Sequence, residues 1–230
     1  MKRVTLELGS NSAVIIEPDA DLDKAVPRCV AGAFAHSGQV CISIQRIFTQ
    51  ASIRDEFTAR MVEATHKLRI GHPLEDTTEV SSLITENEAK RIESWIGEAR
   101  DAGAQLVTGG ERRGATVEPA VLTGVPASAS LSAKEAFGPV VAVNSYQNLE
   151  EAITMVNQSD YGLQAGMYTR DLEKAFRTAR EVHVGGFHIN EIPAFRVDQM
   201  PYGGVKLSGT GREGPRYAVE EMTELKLITW

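Results

Sequence analysis

An α/β fold with a largely parallel, helix-covered sheet is predicted by three features of this 230-residue chain. Strand-length apolar runs alternate with helix-length amphipathic stretches along most of it. Gln164 to Asn190 reads strand, helix, strand, and so forms a βαβ unit, the device that joins parallel neighbours. Hydrophobic residues make up 42% and charged residues 24%, the balance of a globular chain long enough to bury a proper core.

Val4 to Leu8 alternates as a short strand, Gly9-Ser10-Asn11 breaks it, and Ala13 to Ile16 is a second apolar run. The acids Asp19, Asp21 and Asp23 load a helix start, where they complement the helix dipole. That helix runs toward His36 and delivers Cys41 just past its end. Pro27 lies inside it, where an interior proline costs about 3 kcal/mol. Gln45 to Thr49 reads as a strand, and Ser52 caps a helix that continues to Leu68.

After the Gly71-His72-Pro73 loop, Thr85 to Glu88 fits a capping box, and Ala89, Ile92, Ile96 and Ala99 keep helical spacing up to Gly103. Strands follow at Leu106 to Thr108, Glu118 to Leu122 and Pro139 to Val143, with Glu135 to Pro139 as the turn into the last. Leu149 to Asn157 is a short helix. The βαβ unit comprises Gln164 to Thr169, Asp171 to Val182 and Gly186 to Asn190. Glu191 to Pro215 is a long Gly/Pro-rich loop of the kind that carries function. Tyr217 to Met222 forms a helical turn or two, and Thr223 to Trp230 alternates as a terminal edge strand suited to joining another subunit.

The net charge of −7, with scattered Lys and Arg, disfavours a nucleic-acid partner. No apolar run approaches the ~20 residues of a membrane span, and the opening Met1 to Glu7 meets charge too early for a secretion signal. A cytoplasmic protein without a membrane partner is expected. The five histidines lack metal-ligand spacing, so no metal site is expected. Gly209 to Gly214 spells G-x-G-x-x-G, but Pro215 follows it and the chain is nearly finished. It is therefore not read as a dinucleotide turn.

Cys29 and Cys41 belong to no C-x-x-C pattern and read as reduced thiols. Cys41 follows the glycine-opened turn Gly38-Gln39-Val40 and is the candidate nucleophile, since a thiolate is the strongest nucleophile among ordinary side chains. Glu7 is a candidate base for that thiol, or for a water attacking a thioester. A small buried hydrophobe is the ordinary role of a lone cysteine, and an exposed carboxylate that of a lone glutamate.

Four segments together resemble the aldehyde dehydrogenase superfamily, and the resemblance runs through nearly the whole chain. They are Leu6-Glu7-Leu8-Gly9, Gly38-Gln39-Val40-Cys41, Glu135-Ala136-Phe137-Gly138-Pro139, and Pro201 to Lys206 continuing through Ser208 to Glu213. The resemblance implies a catalytic-domain fold and the NAD(P)-dependent oxidation of a small-molecule aldehyde. Cys41 would form a thiohemiacetal, pass hydride to NAD or NADP, and be left as a thioester that Glu7 hydrolyses through water. The Cys41 N–H would supply half of an oxyanion hole. Glu135 would hold the nicotinamide ribose, Phe137 would lie beside the nicotinamide, and Glu213 would take part in proton relay. Arg196, at the implied tunnel mouth, suits the far anion of an acidic aldehyde, and Ile42 beside the nucleophile is a second substrate contact.

Ser10 stands where the glutamate motif usually has a second glycine, which would reduce backbone freedom there. Family members are about twice as long, and the implied division is a remnant of a dinucleotide-binding domain at 1–8 and a catalytic domain at 9–208. A segment returning toward the cofactor domain follows at 209–222, then an oligomerisation strand at 223–230 through which a homo-oligomer would form. The absent portion would include the glycine turn and the oxyanion-hole asparagine, so weak or no activity is expected of the chain alone. The alternative reading is a non-catalytic remnant or association module. A reductase acting on an acyl phosphate is disfavoured by the presence of Glu7.

Overall fold

The structure, a computed structural model, describes residues 2–230. In chain order its elements are β1 (Leu6–Glu7), β2 (Ser12–Ile16), α1 (Leu22–Phe34), β3 (Ile44–Gln50), α2 (Arg54–His66), α3 (Glu86–Asp101), β4 (Gln105–Thr108), β5 (Arg112–Arg113), β6 (Thr116–Val117), β7 (Ala120–Thr123), α4 (Ser130–Ala133), β8 (Val140–Tyr146), α5 (Leu149–Asn157), β9 (Tyr161–Gly162), β10 (Gln164–Tyr168), α6 (Leu172–Glu181), β11 (Gly186–Ile189), β12 (Val205–Lys206), β13 (Gly209–Thr210) and α7 (Pro215–Met222). Seven strands form the main sheet in the order β11-β10-β2-β3-β8-β7-β4. All its pairings are parallel except that of the edge strand β4 with β7. The predicted α/β architecture is the observed one.

Helices cover both faces. Val14 and Ile16 of β2 pack into one core with Cys29 and Phe34 of α1 and Phe57 and Met61 of α2. Ala13 and Ile15, on the opposite side of the same strand, pack with Ile153 and Val156 of α5. A third cluster sets Ile92 and Ile96 of α3 against Leu122 and Val140. Apolar runs without alternation follow from this two-sided burial.

α1 tolerates Pro27 because that residue lies on the exposed face, where the carbonyl left without its N–H partner can reach water. The helix stops at Phe34, short of the expected His36, because His36 (φ 52°), Ser37 (φ 58°) and Gly38 (φ 70°) all enter the left-handed region. The expected strand Val4 to Leu8 shrinks to Leu6–Glu7, which pairs only with β13 outside the main sheet. Thr223 to Trp230 pairs with no strand among the described residues; Arg3 bonds its first two residues, and Leu225, Leu227, Ile228 and Trp230 are exposed. The β5–β6 hairpin, α4, and the short strands β9, β12 and β13 escaped the sequence reading, since two to four residues leave no periodicity to detect. No helix among the described residues is long and apolar enough to cross a membrane.

Gly9, Cys41 and Phe137 each precede one of the parallel strands β2, β3 and β8. The predicted residues therefore gather at the amino-terminal edge of the sheet, opposite to where open α/β sheets usually bind ligands. The loop after β11 starts at the other edge and returns. Ile192 packs in the core with α1, and further on the Gly203 carbonyl presses on the α-carbon of Gly185.

Candidate active site

Three left-handed residues in a row would cost about 1 kcal/mol for each that carries a side chain, so something must hold the turn before Cys41. Ser37 Oγ donates to the Ser81 carbonyl at 2.9 Å and accepts the Ser81 N–H at 3.0 Å. Gln39 accepts the Ile84 N–H through its side chain at 2.9 Å. Gly38 lies so close to Gly138 and Pro139 that a Cβ would overlap the Gly138 carbonyl. The cysteine turn and the Glu135–Pro139 turn thus touch backbone to backbone. Beyond Cys41, Ser43 closes the turn with its N–H on Val40 (2.9 Å) and its hydroxyl on Ala33 (3.1 Å). The Cys41 N–H donates to no backbone carbonyl among the described residues and is free to meet a developing oxyanion.

Cys41 is partly exposed, whereas Cys29 is fully enclosed and burial pushes its thiol well above the ordinary range. Cys41 Sγ lies 3.1 Å from the hydroxyl of buried Tyr202. Tyr202 packs in one small cluster with Ile42 and Leu163, so Ile42 supports the ring as well as flanking the sulfur. The sequence reading quoted Tyr202 only as a letter of the loop motif. Its one signal was an aromatic residue followed by two glycines.

Glu7 reaches the same place from the other end of the chain. β1 pairs with β13, and Ser208, fully buried, donates its hydroxyl to the Gly9 carbonyl at 2.7 Å while accepting the Gly162 N–H at 3.0 Å. The Glu7 carboxylate lies beside Gly203, and its Oε1 is buried without a hydrogen-bond partner. Burial and the nearby Glu213 raise its proton affinity, with Arg196 and Arg212 opposing. Tyr202 feels the charges of both Cys41 and Glu7, and burial above all pushes its ionisation far up. The two residues expected to share the chemistry therefore meet the Tyr202-Gly203 pair, Cys41 at the tyrosine hydroxyl and Glu7 at the glycine.

Arg196 and Glu213 are also brought together, by a 3.0 Å ion pair, and the Arg196 guanidinium stacks 4.5 Å above the Tyr202 ring. Glu213 is held there by two backbone hydrogen bonds with Tyr202 (3.1 and 2.6 Å). Ser10 keeps a negative φ that any residue adopts, and its N–H donates to Glu135 Oε1 at 2.9 Å. Gly9 is the residue that must be small, since a Cβ there would collide with the Glu135 carboxylate.

The order and contacts of these four motifs agree with an independent match: the aldehyde dehydrogenase family covers residues 1–228. The chain belongs to the aldehyde dehydrogenase family. The aldehyde dehydrogenases it resembles include the 3-sulfolactaldehyde dehydrogenase of Priestia aryabhattai, 47% identical over 228 residues, which are 99% of this chain and 48% of that protein. The lactaldehyde dehydrogenase of Methanococcus aeolicus is 43% identical over 227 residues, 99% of this chain and 49% of its own length. Among solved structures, aldehyde dehydrogenase 21 of Physcomitrella patens in complex with the product succinate superposes with a TM-score of 0.94 at 43% identity, covering 97% of this chain and 47% of that one. The glyceraldehyde-3-phosphate dehydrogenase of Methanocaldococcus jannaschii complexed with NADP gives 0.95 at 40% identity, covering 98% and 49%. The chain spans about half the length of the curated relatives it matches.

The residues present fit one end of the nicotinamide cofactor on which aldehyde dehydrogenases depend. Glu135 is half-buried with its Oε2 unbonded among the described residues, which suits a pair of ribose hydroxyls. Burial raises its proton affinity, while the Ser10 N–H and the positive charge of Arg91 draw it back. Phe137 stands beside it, 40% exposed and held at φ 50°, which suits a flat ring. Gly209 to Gly214 sits in β13 and the loop before α7, following no parallel strand, and so lacks the setting of a pyrophosphate turn. Among the described residues no group of three or more His, Cys, Asp or Glu is arranged to hold a metal.

Proposed function

We propose that this chain carries the catalytic machinery of an NAD(P)-dependent aldehyde dehydrogenase acting on an aldehyde with an anionic far end. The observation that carries the reading is the meeting of Cys41 and Glu7 at Tyr202-Gly203. Cys41 attacks the aldehyde carbon, forming a carbon–sulfur bond while the carbonyl electron pair moves onto oxygen, which the Cys41 N–H stabilises. A nicotinamide held by Glu135 and Phe137 would supply the hydride acceptor for that carbon, and Cys41 is left as a thioester. Glu7 takes a proton from water through its unpartnered oxygen. The hydroxide equivalent attacks the thioester, and the acid departs as Cys41 is restored.

Arg196 selects the far end. A guanidinium held over an aromatic ring presents its fork to a carboxylate, sulfonate or phosphate. The name of the sulfolactaldehyde relative and the succinate in the aldehyde dehydrogenase 21 structure support an anionic substrate. Leu6–Glu7 acts here as the strand that seats the base, and 9–208 as the catalytic body. Residues 209–222 carry Glu213 back to the site. Residues 223–230, with Leu225, Leu227, Ile228 and Trp230 exposed, pair with a second copy. Light scattering of the chain and of a form ending at residue 222 tests that pairing, and equal masses would exclude it.

The test of the chemistry is the mass of the chain after incubation with NAD or NADP and an aldehyde bearing a carboxylate or sulfonate tail. An acyl group on Cys41, absent in Cys41→Ser, and slow cofactor reduction are expected. No adduct at Cys41, together with a thiol no more reactive than that of Cys29, would sink the reading.

A further inference from the structure

Tyr202 meets the reacting sulfur more closely than any other side chain described here. Its hydroxyl is 3.1 Å from Cys41 Sγ and has no other hydrogen-bond partner among the described residues. The residue is built to stay there. Its backbone exchanges two hydrogen bonds with Glu213, Ile42 and Leu163 pack against its ring, and Arg196 covers the ring face at 4.5 Å. We propose that Tyr202 is a catalytic residue whose hydroxyl donates a hydrogen bond to the Cys41 sulfur, steadies the resting thiolate, and lets go as the carbon–sulfur bond forms. This rests on Cys41 being the nucleophile.

The direction of the bond follows from chemistry. Tyr202 is buried, and burial pushes its ionisation far above the ordinary tyrosine range, so the hydroxyl keeps its proton and acts as the donor. A neutral thiol is a poor acceptor and a thiolate a strong one, and hydrogen bonds to an ionised partner are roughly twice as strong. The contact therefore favours the ionised sulfur. Arg196 on the ring face draws electron density from the phenol and strengthens the donor. Glu7, Glu213 and Arg212 complete the charged groups near the ring.

The bond also loosens on cue. When sulfur attacks the aldehyde, its charge passes through the new carbon–sulfur bond to the carbonyl oxygen, and the sulfur left behind accepts hydrogen bonds only weakly. No proton leaves Tyr202 in this step, and the same hydroxyl recaptures the sulfur when the thioester is cleaved. The contact is stronger in the resting state than in the thioester, so it serves to keep the nucleophile ionised and aimed.

The experiment is iodoacetamide alkylation of the full chain across pH, with modification at Cys41 and Cys29 counted separately by peptide mass. In Tyr202→Phe, Cys41 should react about threefold to tenfold more slowly near neutral pH, because fewer sulfurs are ionised, part of the loss being returned by the higher nucleophilicity of an unbonded thiolate. At strongly alkaline pH, where every thiol is ionised, the variant should match or exceed the parent. Equal rates at all pH values, or the same slowing at all of them, would overturn the proposal. Thiolate ultraviolet absorbance at neutral pH supplies a second readout and should fall in the variant. Should Cys41 react no faster than Cys29 in the parent chain, the nucleophile reading itself fails, a result distinct from failure of the tyrosine assignment.

Discussion

Arg196 and Glu213 form a 3.0 Å ion pair in which each side chain is 42% exposed. Such a pair is worth about 0–1 kcal/mol, so an incoming anion can displace Glu213 from the guanidinium at little cost. The two residues proposed separately for substrate binding and proton relay are thus paired with each other in the structure.

Protection of Cys41 from alkylation by succinate reads the state of that pair. Glu213→Gln frees Arg196 and should tighten succinate protection by no more than about fivefold. Arg196→Ala should weaken it by about tenfold or more, while protection by a neutral aldehyde stays unchanged. Equal loss for both ligands would end the anion-clamp assignment.

Gly38 admits no side chain, because its φ is 70° and a Cβ would overlap the Gly138 carbonyl. Gly38→Ala should lower stability by about 2 kcal/mol or more and slow Cys41 alkylation in the folded fraction. Urea melts with alkylation kinetics check both. Gly9→Ala should cost less, because the obstacle there is the movable Glu135 side chain.

Glu7 binds its proton more tightly folded than unfolded, burial being the first cause and Glu213 the second. For a raised carboxylate the folded state holds the extra proton, so stability falls as pH climbs from the ordinary value of 4.5 through the raised one. Glu7→Gln should therefore melt at a higher temperature than the parent at neutral pH, with the gap closing below the ordinary carboxylate range. A gap that widened toward acid would reverse the assignment.

Glu17 is buried and accepts from Tyr146 at 2.5 Å and from Lys174 at 2.5 Å. Lys174→Met strands a buried charge and should cost about 3 kcal/mol. Glu17→Gln removes the charge instead and should cost about 2 kcal/mol or less. Denaturant midpoints of the two variants decide the order.

Long elements were legible in the sequence because burial repeats along them: Ala89, Ile92, Ile96 and Ala99 marked α3, and all four are buried. The functional motifs were legible as words, but what joins them was not. Ser37 meeting Ser81, Gly38 meeting Gly138 and Tyr202 meeting Cys41 are contacts between distant residues that no local period records. Thr223 to Trp230 is unpaired in the single chain, as its expected partner is a strand of another subunit. Its alternation is real, and among the described residues no strand of the same chain pairs with it.

The ribbon that sets Leu6–Glu7 against Gly209–Thr210 has only two paired positions on each side, and Arg3 adds a clasp on the last carbonyls of α7. During synthesis the sulfur's turn can be complete while the carboxylate still waits for a partner nearly the whole chain away. On the proposed roles, the carboxylate would therefore be seated last, after the thiol's own turn is complete.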